Sequence, residues 1–64
     1  MPIVEITIVE GRSPEKKRDL MVRVTDAIVG AIDAPRETVR IILREIPPAH
    51  FAVAGKTKET PPAD

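Results

Sequence analysis

The sequence predicts an α+β fold: a single β-α-β unit with parallel strands, followed by a short C-terminal hairpin. Two segments rich in β-branched residues flank one long segment with helical periodicity, and turn residues separate the three. A crossover through one helix places the two strands parallel in one sheet. With 64 residues in all, we expect residues 1–64 to form one domain.

The first predicted strand covers residues 3–9. Its apolar residues alternate, so that Val4, Ile6 and Ile8 share one face. The opposite face is mixed and is expected to be only partly covered. The strand ends at Glu10-Gly11-Arg12, where glycine is the natural turn residue.

A helix of about 19 residues is predicted after Ser13, which can cap its first N–H groups, with Pro14 and Glu15 in the first turn. Ala34-Pro35 ends it, because the residue before a proline avoids the helical region. One apolar stripe is expected to face the sheet; it contains Leu20, Met21, Val24, Ala27, Ile28, Ala31 and Ile32. Val22 and Val29 fall outside it and are either subunit contacts or isolated surface valines.

The second predicted strand covers residues 39–46, with Arg40 and Ile42 on the face opposite Ile41. Pro47-Pro48 stops it. Residues 51–55 then form a short apolar segment, which either makes a small hairpin or pairs with another subunit. We expect residues 56–64 to be a flexible tail, because only one of them is hydrophobic.

The small size of the chain predicts oligomerisation. Below about 70 to 80 residues, one core rarely supplies more than about 3 to 5 kcal/mol, and small chains usually add disulfides, a metal or other subunits. The sequence has no cysteine and a single histidine, His50, so we expect neither disulfides nor a metal or other cofactor. Dimerisation would complete the sheet, since two strands alone leave both edges open.

The charge balance argues against some partners. Ten Lys and Arg residues balance ten Asp and Glu residues, so there is no basic excess for a nucleic acid. No apolar run approaches the roughly 18 residues of a membrane helix, and the start has no signal-peptide pattern. We therefore expect no nucleic-acid or membrane partner and a cytoplasmic protein.

Pro2 and Arg12 are the first two candidate functional residues. Removal of Met1 would leave Pro2 with a secondary amine that can act as a base; otherwise Pro2 simply starts a strand. Arg12 precedes the helix start, where a positive charge opposes the helix dipole, and it can hold an anion there. Alternatively, Arg12 is a solvated loop arginine that pairs with Glu10 or Glu15.

Arg40 and Phe51 are the other two candidates. Arg40 stands in the second strand, where it is either functional or a solvated or salt-bridged charge. Phe51, the single aromatic residue, is either a core side chain or the wall of a site.

Five motifs carry a resemblance to a known family. They are Pro2-Ile3, Glu10-Gly11-Arg12-Ser13, Asp33-Ala34-Pro35, Val39-Arg40 and His50-Phe51 with Gly55. In this order and spacing they resemble the 4-oxalocrotonate tautomerase family of the tautomerase superfamily, without gaps over residues 2–55.

The resemblance implies a tautomerase fold assembled as a homohexamer, a trimer of dimers. It implies that Pro2, after loss of Met1, is the general base of a cofactor-independent isomerase in aromatic hydrocarbon catabolism. Arg12 then binds the distal carboxylate of the substrate. Arg40, from a neighbouring subunit, engages the 2-oxo and adjacent carboxylate oxygens, and Phe51 keeps the pocket apolar.

The implied reaction converts 2-hydroxymuconate, a small dicarboxylate, to 2-oxo-3-hexenedioate. Two alternatives stay open at this stage. One is a tautomerase for another enolisable 2-oxo acid, such as a phenylpyruvate-like compound. The other is a non-catalytic oligomeric protein that binds carboxylates.

Overall fold

The computed structural model describes residues 1–59 and confirms the predicted β-α-β order and the short hairpin. Two 3₁₀ turns, Arg36–Thr38 and Pro48–His50, lie in the connections around the second strand. The regular elements are β1 (Ile3–Val9), α1 (Pro14–Ile32), β2 (Arg40–Ile46), β3 (Ala52–Val53) and β4 (Lys56–Thr57).

β1 and β2 pair in parallel, in a register that runs from Ile3 beside Arg40 to Val9 beside Ile46. On one face of this sheet the apolar side chains are half-buried, as predicted; they are Val4, Ile6, Ile8, Ile41 and Leu43. Glu45 belongs to the same face, and its carboxylate accepts a hydrogen bond from Lys17 of α1 at 2.9 Å. The helix therefore lies over this face.

Local capping sets the bounds of α1. The Ser13 hydroxyl accepts a hydrogen bond from the backbone N–H of Lys16 at 3.2 Å, which confirms the predicted start. The helix ends at Ile32, because Asp33 adopts the left-handed conformation with φ 55°. This end precedes the predicted stop at Ala34-Pro35.

The apolar stripe of α1 differs in part from the prediction. Val22 is 50% exposed, as expected of a residue outside the stripe, but Val29 is half-buried. Ile32, predicted to face the sheet, is 64% exposed. With 19 residues the helix is about 28 Å long, whereas seven-residue strands span about 23 Å, so its last turn overhangs the sheet.

The hairpin forms within one copy of the chain. β3 and β4 are antiparallel, and the turn between them has positive φ at Ala54 (53°) and Gly55 (79°), as a tight two-residue hairpin turn requires. Lys56–Thr57 thus forms a strand, although we predicted that the flexible tail begins at residue 56. The last part of that tail, residues 60–64, lies outside the described residues.

One copy of the chain leaves much apolar surface uncovered. Its accessible surface is 5075 Å², whereas a folded monomer of this mass has about 4,000 Å². Its radius of gyration is 15.6 Å, against about 11 Å for a compact chain of this length. On the sheet face away from α1, Ile3 is 62% exposed and Ile42 is 41% exposed.

None of the helices formed by residues 1–59 has the length and apolar character needed to cross a membrane.

Candidate active site

Pro2 and Arg40 meet at the end of the sheet where both strands begin. The backbone N–H of Arg40 donates to the Pro2 carbonyl oxygen at 2.9 Å, so the ladder extends one residue before β1. Arg40 pairs in register with Ile3, so its side chain shares the face of Ile3, and Pro2 belongs to the opposite face. Within one copy, the two residues are neighbours whose side chains diverge.

A 3₁₀ turn orients the Arg40 side chain. Its Nη1 donates to the carbonyl oxygen of Glu37, the middle residue of the Arg36–Thr38 turn, at 2.6 Å. The turn is itself tied to α1 by an ion pair of 2.7 Å between Arg36 and Asp26. No carboxylate of residues 1–59 forms an ion pair with Arg40. The positive charge of its guanidinium group and the remaining N–H donors are therefore available to a ligand.

Arg12 lies at the other end of the sheet, where both strands finish. The N–H of Glu10 donates to the carbonyl of Ile46 at 2.9 Å and closes the ladder there. Gly11, with φ 131°, then turns the chain toward α1 in a conformation that other residues rarely adopt. In the described part of the chain, neither Glu10 nor Glu15 pairs with Arg12.

A shallow groove of about 320 Å³ begins at Arg12 and follows the first turns of α1. Sequence reasoning missed Lys16 as part of this region. The signal that could have found it is its place in the first turn of the predicted helix, close in sequence to Arg12. The groove is lined by Arg12, Lys16, Lys17, Asp19, Leu20 and Arg23.

Phe51 also follows the end of the sheet where the strands finish. Because β2 is parallel to β1, the chain leaves β2 at the same end as Arg12 and reaches Phe51 after the Pro48–His50 turn. Phe51 is 37% exposed, so it is not a core side chain within one copy. Its ring is accessible to a ligand or to another subunit.

The two ends of the sheet are separated by the full length of a strand. Seven residues of β1 span about 23 Å between Pro2 and the turn that carries Arg12. No six-carbon dicarboxylate bridges that distance. A single copy therefore does not bring Pro2 and Arg12 to one small ligand.

Met1 controls whether Pro2 is basic. With Met1 attached, the Pro2 nitrogen belongs to an amide, whose lone pair is delocalised into the carbonyl group. Met1 is 78% exposed and precedes the first strand, so it is accessible for removal. Pro2 is half-buried at the start of the sheet.

The fold and these residues define the class of the protein. The β-α-β unit with parallel strands and a short antiparallel hairpin is the fold of its tautomerase neighbours. A family model described as "Tautomerase enzyme" matches residues 2–60. The chain belongs to the tautomerase family, as the resemblance of its motifs predicted.

Individual relatives agree with this assignment. A probable tautomerase of Ralstonia nicotianae is 45% identical, over 100% of this chain and 96% of the relative. A 2-hydroxymuconate tautomerase of Stutzerimonas stutzeri is 46% identical, over 89% of this chain and 90% of the relative.

The fold agrees with a solved structure as well. A heterohexamer 4-oxalocrotonate tautomerase from Chloroflexus aurantiacus has a TM-score of 0.87 and 40% identity, covering 91% of this chain and 94% of that one. The chain is thus an enzyme of the 4-oxalocrotonate tautomerase type, which sets aside the non-catalytic alternative.

Proposed function

We propose that this enzyme converts 2-hydroxymuconate to 2-oxo-3-hexenedioate and uses Pro2, freed by removal of Met1, as its general base. The observation that carries this proposal is the placement of two arginines that form no ion pair within residues 1–59, Arg40 beside Pro2 and Arg12 at the other end of the sheet. A linear dicarboxylate offers an anionic group to each. The relative from Stutzerimonas stutzeri bears the name of this activity.

Pro2 acts in its neutral form. Guanidinium groups that other copies supply to the Pro2 nitrogen, together with an apolar wall, would disfavour its charged form. The nitrogen takes the proton of the 2-hydroxyl group, and the electron pair left on oxygen forms the 2-oxo group. The conjugated double bonds shift, and a remote carbon receives the proton back from the proline.

The arginines have different tasks in this reaction. Arg40 stabilises the negative charge that develops on the 2-oxygen and holds the neighbouring carboxylate. Arg12 binds the distal carboxylate, whose charge does not change during the reaction. Phe51 contributes an apolar wall that keeps these electrostatic interactions strong.

The proposed active unit is a homohexamer built from dimers. Support comes from the exposed Ile3 and Ile42 on the open sheet face and from the edges of the two-stranded sheet, which no other strand of residues 1–59 covers. The separation of Pro2 from Arg12 gives a second reason, since only residues from different copies can enclose one substrate. The relative from Chloroflexus aurantiacus is a heterohexamer, so a sister subunit is the competing outcome.

The test follows ketonisation of 2-hydroxymuconate by ultraviolet absorbance, with protein whose mass confirms loss of Met1. Native mass spectrometry of the same sample measures the number of subunits. We expect turnover by a hexamer of this chain alone. Negligible turnover by a processed hexamer would overturn the proposed substrate and favour another enolisable 2-oxo acid, such as a phenylpyruvate-like compound.

A further inference from the structure

We propose that Lys16 determines specificity beside Arg12, by adding a second positive charge where the far end of the substrate binds. This inference rests on the proposed function and extends it. It assigns the site a preference for substrates with a fully ionised group at the end remote from the reacting oxygen.

The groove along the start of α1 brings the two cations together. Arg12 and Lys16 both line it, and they are four residues apart across the helix start. The Lys16 backbone is held in place, because its N–H donates to the Ser13 hydroxyl at 3.2 Å. The side chain therefore starts from a defined position in the first helical turn, on the groove side.

The charges in the groove are unequally compensated. Lys17 is paired with Glu45 at 2.9 Å, and Arg23 is paired with Asp19, the single carboxylate in the groove, at 3.0 Å. Within residues 1–59, Arg12 and Lys16 have no ion-pair partner. The uncompensated positive charge of the groove thus comes from these two side chains.

The position of Lys16 is unfavourable for the helix itself. A cation in the first turn opposes the helix dipole, so Lys16 does not serve the stability of α1. Two adjacent cations in a concave surface raise the local concentration of an anion and hold a carboxylate more tightly than one cation does. Because the groove is open, salt should weaken this effect.

The experiment compares Lys16→Gln with Arg18→Gln. Both variants remove one positive charge from the same helical turn, but Arg18 does not line the groove. Each is assayed with 2-hydroxymuconate and with 2-hydroxy-2,4-pentadienoate, which lacks the distal carboxylate. Melting temperature and native mass are recorded for both variants.

For Lys16→Gln we expect KM for the dicarboxylate to rise about threefold, as for loss of an exposed ion pair, with kcat unchanged. KM for the monocarboxylate should stay the same, and the melting temperature should not fall. Arg18→Gln should leave both KM values unchanged, and Lys16→Arg should restore the wild-type KM.

Two outcomes would overturn the inference, and they are distinguishable from each other. If the two Gln variants behave alike, or if Lys16→Gln affects both substrates equally, Lys16 has no specific role although the tautomerase function stands. If processed wild-type enzyme turns over neither substrate, the proposed function fails, and the role of Lys16 fails with it.

Discussion

The two ends of the parallel sheet are constructed differently. Where the strands begin, Pro2 and Arg40 are joined through the backbone, and a 3₁₀ turn holds the arginine by a hydrogen bond of 2.6 Å. Where the strands finish, Arg12 directly follows the turn at Gly11 and lines an open groove. This difference matches the proposed roles, in which Arg40 acts in the chemical step and needs fixed geometry, whereas Arg12 binds a charge that does not react.

If the proposed roles hold, one copy of the chain contains two half-sites rather than one complete site. About 23 Å of strand separates Pro2 from Arg12, so in the proposed mechanism these two residues act on one substrate only when they come from different copies. Five changes test whether the two ends of the sheet have these different roles.

Retention of Met1 should have the largest effect. Blocking the amine as an amide removes the general base, so we expect kcat to fall by a factor of about 10² to 10⁴. The measurement compares preparations with and without Met1, identified by mass. Treating the unprocessed protein with methionine aminopeptidase should restore its activity, and equal activity before and after treatment would exclude Pro2 as the base.

Arg40→Gln should lower kcat by about 10²-fold, the cost of losing a donor to a developing oxyanion. Arg40→Lys keeps the charge but loses the planar fork, so we expect an intermediate kcat. Steady-state kinetics with 2-hydroxymuconate measure both variants. A rise in KM alone would place Arg40 in binding rather than in the chemical step.

Mixing two impaired variants should raise activity above that of either variant alone if Pro2 and Arg12 of different copies form one site. When equal amounts of Pro2→Ala and Arg12→Gln chains form mixed hexamers, about a quarter of the sites would have both a native Pro2 and a native Arg12. The measurement is kcat/KM after denaturing and refolding the two chains together. The control refolds each variant alone, and a mixture no more active than these controls would mean that Pro2 and Arg12 act within one chain.

Arg12→Gln should have the smallest effect on the chemical step. We expect KM for the dicarboxylate to rise about tenfold with little change in kcat, because a charge-assisted hydrogen bond is lost equally from the ground state and the transition state. The monocarboxylate 2-hydroxy-2,4-pentadienoate is the control and should show no change in KM. If Arg12→Gln instead lowers kcat and leaves KM unchanged, Arg12 acts in the chemical step, and the proposed roles of the two ends of the sheet are reversed.

Much of the fold was predictable because its signals are local. Alternation in residues 3–9 and 39–46, and the Ser13 cap, identify the elements before any long-range contact is considered, and the helix has the predicted length of 19 residues. The strand Lys56–Thr57 was not predicted. It depends on a turn with positive φ at Ala54, a non-glycine residue, which residue type alone does not indicate.

The candidate site was predictable as a set of residues but not as an arrangement. Pro2, Arg12, Arg40 and Phe51 were each recognisable from residue type and family motif. Lys16 was missed because a lysine in a first helical turn looks like an ordinary surface residue, and only the groove that it shares with Arg12 sets it apart.

Periodicity, capping and side-chain type are properties of neighbouring residues, so the elements and the chemical groups follow from the sequence alone. The positions of those groups relative to one another depend on the tertiary structure. Parallel pairing, with Ile3 beside Arg40 and Val9 beside Ile46, places Arg40 with Pro2 and keeps both a strand's length from Arg12. That register arises from contacts between residues almost forty positions apart, which no local pattern contains.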